Sequence, residues 1–502
     1  MIVRDLLTSW SRDVHEHVVV PRDVALDVPC TGVEYDSRKA KSGSVFVALP
    51  GQKADGAAFA PQAAASGAAA IVSERQRPEN VAVPWIVVGN ARLALAQLAS
   101  EFFGHPSRQM KVVGITGTNG KTTTSYLLQS VFEAAGTRCG LMGTVAYRIG
   151  EREIGATRTT PEAPDVQRLM REMVDAGCGA CVMEVSSHAL AMHRVDGIHF
   201  AAAVFTNLTR DHLDFHHDME SYFAAKRRLF EILPPDAPAV INVDDPRGPT
   251  LVEGVRHPVT YAISRDADVT PGPLSFGLGG LTFDARTPQG TAHVESRLVG
   301  KPNVYNILAA TATAATLGVR LDAIESGLRR LAGVPGRFEL ISSSADDITV
   351  VVDYAHTDDA LRNLLETART LASRRLITVF GAGGDRDRTK RPLMGMVAAR
   401  LSDIVVITSD NPRTEDPLRI IDEVKLGAEP EARQGNAEVI AMPDRRDAIL
   451  HAIDRASAGD VVLVAGKGHE KYQDIGGRVT PFDDAAVARE ALEARREKSR
   501  VG

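Results

Sequence analysis

The sequence predicts a three-domain α/β protein whose two larger domains are built on parallel sheets. Its 502 residues are roughly three times the length of an average domain of about 150 residues. From residue 111 onward, short apolar segments alternate with longer helical segments, which is typical of parallel strands covered by helices on both faces. The alternation stops at a turn-rich segment, VPGRFEL (334–340), and then resumes. We therefore expect a small mixed α/β N-terminal domain, a central doubly wound domain and a C-terminal Rossmann-like α/β domain.

Residues 1–107 are predicted to form the N-terminal domain. An Ala-rich helix is expected between the first two of its strands, and a second helix over 91–104 follows the last. His105-Pro106-Ser107 then ends the pattern, because proline cannot continue a helix. The predicted strands are GSVFVAL (43–49), AAIVSE (69–74) and PWIVVGN (84–90).

Residues 108–337 are predicted to form the central domain, a doubly wound sheet. Residues 258–299 are rich in Gly, Thr and Pro and predict an antiparallel extension, whereas 303–318 predict one amphipathic helix. The apolar strands are KVVGIT (111–116), ACVMEVS (180–186), FAAAVFTN (200–207) and PAVINVD (238–244), and the other helices cover 122–136, 164–177 and 222–233.

Residues 338–502 are predicted to form the C-terminal domain. Ligands of such sheets bind beyond the carboxyl ends of the strands, and here those ends carry polar or small residues. The charged tail, EALEARREKSRVG (490–502), predicts a helix exposed to solvent. The predicted strands are DITVVVDYAH (347–356), RLITVFGAGG (375–384), DIVVITSDN (403–411) and DVVLVAGKG (460–468).

Composition and charge exclude several classes of function. The chain has 58 Lys and Arg against 64 Asp and Glu, a net charge of −6, so no nucleic acid is expected as a partner. Four cysteines are too few for a disulfide framework, which favours a reducing compartment. No apolar run reaches the roughly 18 residues of a membrane span, and the N-terminus does not resemble a signal peptide. We expect a cytoplasmic monomer without membrane insertion.

The clearest local motif is GITGTNGKTTT (114–124), a Gly-rich loop between an apolar strand and a helix. Backbone N–H groups at such a helix start form an anion cradle, so the motif predicts a P-loop ATPase-like central domain. Lys121 would add a charge near the β- and γ-phosphates, and the hydroxyl of Thr122 would bind a magnesium ion. The usual spacing places the first glycine where this chain has Ile115, which argues against generic GTPases and kinases.

Acidic and imidazole side chains follow two of the predicted central strands. Glu184 ends an apolar strand, where a buried carboxylate is costly unless it binds a cation or hydrogen-bond donors. The segment NLTRDHLDFH (207–216) places Asp211, His212 and further acidic and histidine residues after another strand. A single histidine is more often structural than a ligand, but beside a phosphate loop this combination predicts a magnesium site.

The motifs, taken in chain order, resemble those of the Mur ligase family. They are GTNGKTTT, the TTP of residues 159–161, EVSSHAL, NLTRDHLDFH, SYFAAK, GKPNVYN, GVPGRFE, DYAHT, GGDRD, DNPR and GKGHE, and they span nearly the whole chain. The resemblance implies an ATP-dependent, amide-bond-forming ligase of peptidoglycan precursor synthesis, in which a carboxylate is phosphorylated and an amine then displaces the phosphate. Within the family, the chain is similar to members that add meso-2,6-diaminopimelate to UDP-N-acetylmuramoyl-L-alanyl-D-glutamate.

The resemblance also implies which residues bind the nucleotide and the metal. Mg2+ would be held by Thr122 and Glu184 and, at a second position, by His212 and a carbamylated Lys226. Lys121 completes the expected catalytic set of Lys121, Glu184, His212 and Lys226. Without the resemblance, Lys226 would be interpreted as an ordinary lysine on a helix surface. ATP would contact Gly117, Thr118, Asn119, Gly120, Lys121, Thr122, Thr123, Asn303 and Arg337.

Two further sets of residues are implied for the other substrates. Diaminopimelate differs from lysine by a distal carboxylate, which a guanidinium such as Arg413 binds bidentately, although Asp-Asn-Pro would also form an ordinary turn. The diaminopimelate set is Arg386, Asp410, Asn411, Pro412, Arg413, Gly466 and Glu470. The set for the UDP-sugar dipeptide is Tyr35, Ser37, Gln52, Lys53, Ala54, Thr159, Thr160, Ser186 and Arg194.

Two other interpretations stay open. The first keeps the ligase class but changes the substrate, to lysine or, as in folylpolyglutamate synthases, to folate that receives glutamate; DNPR and the YDSR of the N-terminal domain oppose it. The second is a non-enzymatic phosphate-loop protein that switches an interaction surface, which leaves the charged residues at the C-terminal strand ends without a use. Phosphate release that requires both substrates separates the ligase from the switch.

Overall fold

The computed structural model describes residues 1–13, 18–51, 55–277 and 279–501 of the chain. Within these ranges the chain forms successive parallel sheets with helices packed on them, and the predicted α/β fold class is confirmed. The domain boundaries that we place after residues 107 and 337 stay predictions.

The first sheet is parallel throughout and lies in the N-terminal region. Its strands, in spatial order, are β1 (Gly32–Glu34), β2 (Ser44–Ala48), β3 (Ala70–Ser73) and β4 (Trp85–Val87), and its helices are α1 (Val3–Asp13), α2 (Ala60–Ala65) and α3 (Ala91–Phe102). The three predicted strands and two predicted helices are confirmed. Helix α3 begins at Ala91 because the Asn90 side chain accepts a hydrogen bond from the Leu93 amide.

The second sheet is the largest and carries the Gly-rich loop. Its strands are β5 (Lys111–Thr116), β6 (Cys139–Met142), β7 (Ala146–Ile149), β8 (Arg152–Gly155), β9 (Ala180–Glu184), β10 (Ala202–Phe205), β11 (Ala239–Asn242) and β12 (Pro258–Tyr261), in the order β12-β11-β10-β5-β9-β6-β7-β8. Helices α4 (Lys121–Ala134), α5 (Ala163–Asp175), α6 (Ser187–Ala191), α7 (Leu213–His216), α8 (Met219–Glu231) and α9 (Gly248–Glu253) connect them. The four predicted apolar strands are the parallel strands β5, β9, β10 and β11.

The prediction for residues 258–299 is partly wrong. Strand β12 pairs in parallel with β11 and so belongs to the central sheet. Its last residue, Tyr261, is fully buried and donates its hydroxyl hydrogen to the Phe205 carbonyl on β10 at 3.1 Å. The remainder is antiparallel as expected: β13 (Thr270–Pro271), β14 (Ser275–Gly277), β15 (Gly280–Thr287) and β16 (Gly290–Ser296). Helices α10 (Lys301–Thr316) and α11 (Leu321–Arg330) follow. Helix α10 confirms the predicted helix, but it is not amphipathic as expected, because nearly all of its faces are buried.

The third large sheet lies in the C-terminal region. Its strands are β17 (Glu339–Leu340), β18 (Thr349–Asp353), β19 (Leu376–Phe380), β20 (Ile404–Ile407), β21 (Glu438–Ala441) and β22 (Val461–Ala465), in the order β17-β18-β22-β19-β20-β21. Only β17 is antiparallel among them, and the four predicted strands are confirmed. A separate hairpin, β23 (Tyr472–Ile475) with β24 (Arg478–Pro481), packs beside it, and the helices are α12 (Asp358–Leu371), α13 (Lys390–Leu401), α14 (Pro417–Gly435), α15 (Arg445–Arg455) and α16 (Asp484–Val501).

The last helix is more than the solvated tail that its charge predicts. Its first residue, Asp484, is fully buried and forms two hydrogen bonds with the equally buried Arg445 guanidinium, at 2.8 and 2.7 Å. Ala491 and Leu492 are also buried, so one face of α16 belongs to the core below the C-terminal sheet. Like the other helices in the described ranges, α16 does not combine the length and apolar character of a membrane span.

Contacts between the successive regions bring their strand ends together. Arg337, in the turn-rich segment before β17, donates to the Thr122 hydroxyl at 3.1 Å. Asn119 in the Gly-rich loop donates to Asp359 at the start of α12 at 3.0 Å. On the other side, the Tyr35 hydroxyl donates to Asp165 at the start of α5. The carboxyl ends of the central and C-terminal sheets therefore face one another.

Candidate active site

The loop between β5 and α4 contains two glycines in backbone conformations that other residues rarely adopt. Gly117 has a φ of 146° and Gly120 a φ of 87°. A Cβ on Gly117 would lie 1.9 Å from the Thr206 hydroxyl oxygen, and a Cβ on Gly120 would lie 2.4 Å from Asn306 Oδ1. Both positions therefore require glycine, and the loop presents the unpaired N–H groups at the start of α4 to an anion.

Two lysine side chains converge on one carbonyl of this loop. Lys121 Nζ donates to the carbonyl oxygens of Gly117 at 2.9 Å and Thr118 at 2.8 Å. Lys226 Nζ donates to the same Gly117 oxygen at 2.7 Å. Lys226 is 2% exposed, and its Nζ lies 4.4 Å from the centre of the Tyr222 ring. The interpretation of Lys226 as a surface lysine is therefore wrong.

Two ammonium groups at one carbonyl repel each other, and the electrostatics favour a neutral amine at Lys226. Burial and then the neighbouring Lys121 lower the pKa of Lys226 well below its usual value. Burial also lowers the pKa of Lys121, although Glu184 and Asp211 oppose that shift. A neutral lysine amine is a nucleophile, whereas an ammonium is not.

Glu184 ends β9 and is fully buried beside the first turn of α4. Its Oε2 accepts hydrogen bonds from the hydroxyls of Thr122 at 3.1 Å and Thr144 at 2.9 Å. Its Oε1 accepts a hydrogen bond from the Thr144 amide at 2.8 Å. The predicted pair of Thr122 and Glu184 is therefore brought together, while Thr144, between β6 and β7, is a partner that sequence reasoning missed.

His212 lies on the other side of the phosphate loop, just before α7, in a left-handed conformation with φ 55°. Its Nε2 is 3.4 Å from Asp211 Oδ2, and its ring centre is 6.1 Å from that of Tyr222. The Tyr222 hydroxyl in turn lies 3.2 Å from the hydroxyl of Thr118. Burial lowers the pKa of His212, although Asp211 opposes that shift, which favours a neutral ring whose nitrogen can bind a metal.

The donor atoms of Thr122, Glu184 and His212 fit magnesium only when a nucleotide or a carbamate supplies further oxygen ligands. The described residues contain no group of three or more His, Cys, Asp or Glu side chains placed to hold a metal ion by themselves. Magnesium usually takes one or two carboxylates, substrate phosphates and water, which the adjacent Thr122 and Glu184 oxygens suit. His212 offers nitrogen, which magnesium takes less readily, so the second position requires extra oxygens such as those of a carbamate.

The other residues predicted to bind ATP surround the same loop. Arg337 donates to Thr122, and its guanidinium carbon lies 4.5 Å from the centre of the Tyr354 ring. Asn303 accepts a hydrogen bond from Asn306 Nδ2 at 2.9 Å, and the Asn306 side chain faces Gly120. Thr123 is buried in the first turn of α4. The structure thus brings the residues predicted to bind ATP together. Asn303 is linked to the loop through the side chain of Asn306.

Four residues predicted to bind the UDP-sugar dipeptide lie together near the carboxyl end of β9. The Thr160 hydroxyl donates to the Glu184 carbonyl at 2.8 Å and accepts from the Ser186 amide at 3.1 Å. Arg194 donates to the Thr160 carbonyl at 3.0 Å. Thr159 Oγ1 is 3.1 Å from the hydroxyl of Thr144, which also contacts Glu184. These four residues therefore lie beside the position at Thr122 and Glu184 where we expect magnesium.

The predicted N-terminal contacts are only partly visible. Tyr35 lines a cavity of about 340 Å³ between the N-terminal and central sheets, together with Lys39, Arg158 and Arg168. Ser37 is buried and donates to Gln62, and no contact places it beside Thr160. The predicted residues Gln52, Lys53 and Ala54 lie outside the described residues.

Residues predicted to bind diaminopimelate form a charged cluster at the carboxyl ends of β20 and β22. The fully buried Lys467 Nζ donates to Asn411 Oδ1 at 3.0 Å and Glu470 Oε2 at 3.2 Å, and lies 3.6 Å from Asp410 Oδ1. A Cβ on Gly466 would lie 2.9 Å from Asp410 Oδ2. Burial and then Asp410 raise the pKa of Glu470. The cluster contains one more carboxylate than ammonium, which suits a cationic amino group.

Arg413 and Arg386 lie at the open side of this cluster. Arg413, after Pro412, has a left-handed φ of 53° and donates from Nη1 to the Gly384 carbonyl at 2.6 Å. Arg386 is exposed on the neighbouring GGDRD loop, and both side chains approach Gly383. The structure thus places Arg413 Nη1 and the Arg386 side-chain stem beside the same glycine, so both arginines border the side of the cluster where a distal carboxylate would bind.

Sequence reasoning missed Lys467 and Thr144 for different reasons. Lys467 had a usable signal, because it lies two residues beyond the end of the apolar strand VVLVA, at the edge of the sheet where ligands bind. Thr144 had none, since a threonine in a short connection is usually a turn residue. Its importance arises from the position of β6 beside β9, which places the connection over Glu184.

Comparison with known proteins agrees with the motifs along nearly the whole chain. Family models described as Mur ligase family, catalytic domain, Mur ligase middle domain, and Mur ligase, glutamate ligase domain match residues 29–103, 115–314 and 336–468. A curated protein of Solibacter usitatus named UDP-N-acetylmuramoyl-L-alanyl-D-glutamate–2,6-diaminopimelate ligase is 48% identical over 486 residues, 96% of this chain and 97% of that protein. The chain belongs to the Mur ligase family. A protein of the same name from Gloeobacter violaceus is 49% identical to this Mur ligase and covers 94% of it and 96% of its own length.

Solved structures agree with the fold of this Mur ligase. A structure of a UDP-N-acetylmuramoyl-L-alanyl-D-glutamate–2,6-diaminopimelate ligase matches with a TM-score of 0.69 and 34% identity, covering 99% of each chain. The MurF ligase of Thermotoga maritima, solved in complex with ADP, matches with a TM-score of 0.65 over 95% of this chain and all of its own. Its 21% identity shows the shared fold alone.

Proposed function

We propose that this chain is the ATP-dependent ligase that adds meso-2,6-diaminopimelate to UDP-N-acetylmuramoyl-L-alanyl-D-glutamate in peptidoglycan precursor synthesis. The observation that carries the proposal is that the phosphate loop and the cluster around Arg413 face each other across the boundary between the two large sheets. Arg337 connects to Thr122, and Arg210 pairs with Asp387 of the GGDRD loop at 3.1 Å. A phosphorylated carboxylate and an incoming amine would therefore meet between them.

The charged groups around the phosphate loop serve the first half of the reaction. ATP and the substrate carboxylate are both anions, so their approach requires fixed positive charge. Lys121 would leave the loop carbonyls and donate to the phosphates, and Arg337 would neutralise the side that faces the C-terminal sheet. Magnesium bound by Thr122 and Glu184 would polarise the phosphoryl oxygens. The product of this half is an acyl phosphate, which releases phosphate when an amine attacks.

Lys226 would act as a carbamate. Its neutral amine would attack carbon dioxide, so that an N–C bond forms as one C–O π bond breaks and its electron pair moves to oxygen. One N–H proton would pass to water, and the neutral amine becomes an anionic carbamate. The negative charge of the carbamate would attract the Lys121 ammonium beside the Gly117 carbonyl. It also supplies the oxygens that the position beside His212 lacks. Lys226 and His212 would then hold the second magnesium.

The cluster around Lys467 would bind the amino acid at both ends. Glu470 and Asp410 supply negative charge for an amino group, and Lys467 holds them in place. Arg413 and Arg386 supply positive charge for the distal carboxylate. Lysine has no such carboxylate and would bring its ammonium against the guanidinium groups, which favours diaminopimelate.

The same proposal covers the remaining expectations. We assign UDP-sugar binding to residues 1–107, ATP binding to 108–337 and amino-acid binding to 338–502. The four cysteines are free thiols in the structure, which agrees with a reducing compartment such as the cytoplasm.

Coupling of phosphate release to both acceptor substrates tests the proposed reaction. With ATP and Mg2+ present, we expect phosphate release only when the UDP-sugar dipeptide and meso-2,6-diaminopimelate are both added, because the acyl phosphate stays intact until an amine reaches it. A continuous phosphate assay measures this. Omission of each substrate in turn is the control. Release with nucleotide alone would instead indicate the nucleotide switch.

Arg413→Ala tests the assignment of the amino-acid site. We expect kcat/KM for meso-2,6-diaminopimelate to fall, since a charged pair with the distal carboxylate is lost. The loss of transition-state stabilisation should be about 2–5 kcal/mol. The KM for ATP should stay unchanged. Arg419→Ala, at an exposed position of α14, is the matched control. If the substitution weakens ATP binding instead, the loop is wrongly assigned.

A further inference from the structure

Two loops hold the guanidinium groups that would select the amino acid, and they come from different strands. Residues 381–387 follow β19, and residues 408–415 follow β20. The loops are joined directly: the Gly384 amide donates to the Asn411 carbonyl at 2.9 Å, and the Thr414 hydroxyl donates to Asp385 at 2.7 Å. The Asp385 amide donates to Glu415 Oε1 at 2.6 Å. Arg386 and Arg413 therefore sit on one braced unit.

The side chain of Arg391 closes this unit from inside the domain. Arg391 lies in the first turn of α13 and is fully buried. Its Nη2 donates to the Gly383 carbonyl at 3.1 Å and to Glu415 Oε1 at 2.8 Å, and its Nη1 donates to Glu415 Oε2 at 3.0 Å. The same Nη1 donates to Glu423 on α14 at 2.7 Å. One guanidinium thus contacts both loops. Among the described residues, its ion pairs are those with Glu415 and Glu423.

The loops require such support because their conformation is unfavourable by itself. Arg413 adopts a left-handed backbone conformation, which costs about 1–2 kcal/mol for a residue with a Cβ. A bidentate contact between a guanidinium and a carboxylate also tolerates little displacement, so the donors must be held within about 0.5 Å. Glu415 links the two loops, because its Oε1 accepts hydrogen bonds from both Arg391 and the Asp385 amide, next to Arg386. Hydrogen bonds from Arg391 lower the pKa of Glu415 to about 2, so the carboxylate stays charged.

We propose that Arg391, acting through Glu415 and Gly383, is a positioning residue that sets the spacing of Arg386 and Arg413 and thereby the preference for an amino acid with a second carboxylate. The inference rests on the proposed function, since it assigns those two arginines to diaminopimelate. Arg391 itself is buried behind the loops and does not reach the substrate.

Arg391→Lys and Glu415→Gln test this role. Lysine keeps the positive charge but cannot make the bidentate contact, and glutamine keeps the size of Glu415 without its charge. With either variant we expect the KM for meso-2,6-diaminopimelate to rise by about 10- to 100-fold, because misplacement of the order of 1 Å has effects of that size. The KM for ATP and for the UDP-sugar dipeptide should stay unchanged. The preference for meso-2,6-diaminopimelate over L-lysine should fall.

The chain offers a matched control on the same two helices. Arg400 of α13 pairs with Glu431 of α14 through two hydrogen bonds, at 3.2 and 2.7 Å, at an exposed position away from both loops. Arg400→Lys should leave all three KM values unchanged. If Arg391→Lys fails to fold, Glu415→Gln still tests the role. In that variant the buried Arg391 guanidinium keeps Glu423 as its counter-ion, so the protein should fold.

Two outcomes overturn the inference. One is an unchanged KM for diaminopimelate in Glu415→Gln, and the other is an equal change in all three KM values with a lower melting temperature, which marks a purely structural role. Failure of the proposed function is distinguishable, because the unmodified chain would then release phosphate without diaminopimelate. If the unmodified chain releases phosphate only with both substrates, and the variants keep its KM for diaminopimelate, the positioning role alone is refuted.

Discussion

We expect Lys226→Ala to remove nearly all turnover while the protein stays folded. Lys226 is the only described residue other than Lys121 whose side-chain nitrogen reaches the Gly117 carbonyl, and its pKa is lowered by burial and by Lys121. The carbamate that we propose there would hold metal beside His212, and loss of one charged group that stabilises a transition state costs about 10²–10³-fold in rate or more. Phosphate release with all three substrates measures the loss. Small carboxylates such as acetate should restore part of the activity, because they can replace the carbamate oxygens.

A direct readout of the modification accompanies the rate. In the unmodified protein under ¹³C-labelled carbon dioxide, a carbamate carbon should give one NMR signal that is missing in Lys226→Ala. Arg227→Ala is the matched control, since Arg227 is the next residue of α8 and pairs with Glu231 at the surface. Its activity should equal that of the unmodified protein. Full activity of Lys226→Ala would contradict the metal-ligand role.

Glu184→Gln has the second largest expected effect. The amide has nearly the shape of the carboxylate and can keep the hydrogen bond from the Thr144 amide, so folding should be preserved. It cannot supply the charge that a magnesium ion beside Thr122 requires. We expect kcat to fall by about 10²–10³-fold. We also expect the Mg2+ concentration that gives half of the maximal rate to rise, which a titration of phosphate release measures.

The control for this variant is Glu153→Gln, on the exposed strand β8. It removes a surface pair with Arg148 and should change neither kcat nor the Mg2+ requirement. A Glu184→Gln variant that keeps its rate at low Mg2+ would show that the buried carboxylate serves Thr144 and the fold, not the metal.

Most regular elements could be predicted because their signals are local. Buried parallel strands such as β5 and β19 are continuous apolar runs, and helices such as α5 carry their own periodicity. Strand β12 could not be predicted, since its identity depends on Tyr261 reaching the backbone of β10. The buried face of α16 was hidden for the same reason: Asp484 is acceptable there only because Arg445, 39 residues away in sequence, lies opposite.

For the candidate site, the pattern of residues along the chain points to the phosphate loop, Glu184, His212 and the charged strand ends, because each lies at or beyond the end of an apolar strand, where sheets of this kind bind ligands. Their roles stay predictions. The chain order could not show that Lys226 and Lys121 share one carbonyl, or that Thr144 holds Glu184. Nor could it show that Arg391 joins the two loops around Arg413. Those contacts arise between segments far apart in sequence, and packing of the sheets against each other places them within hydrogen-bond distance.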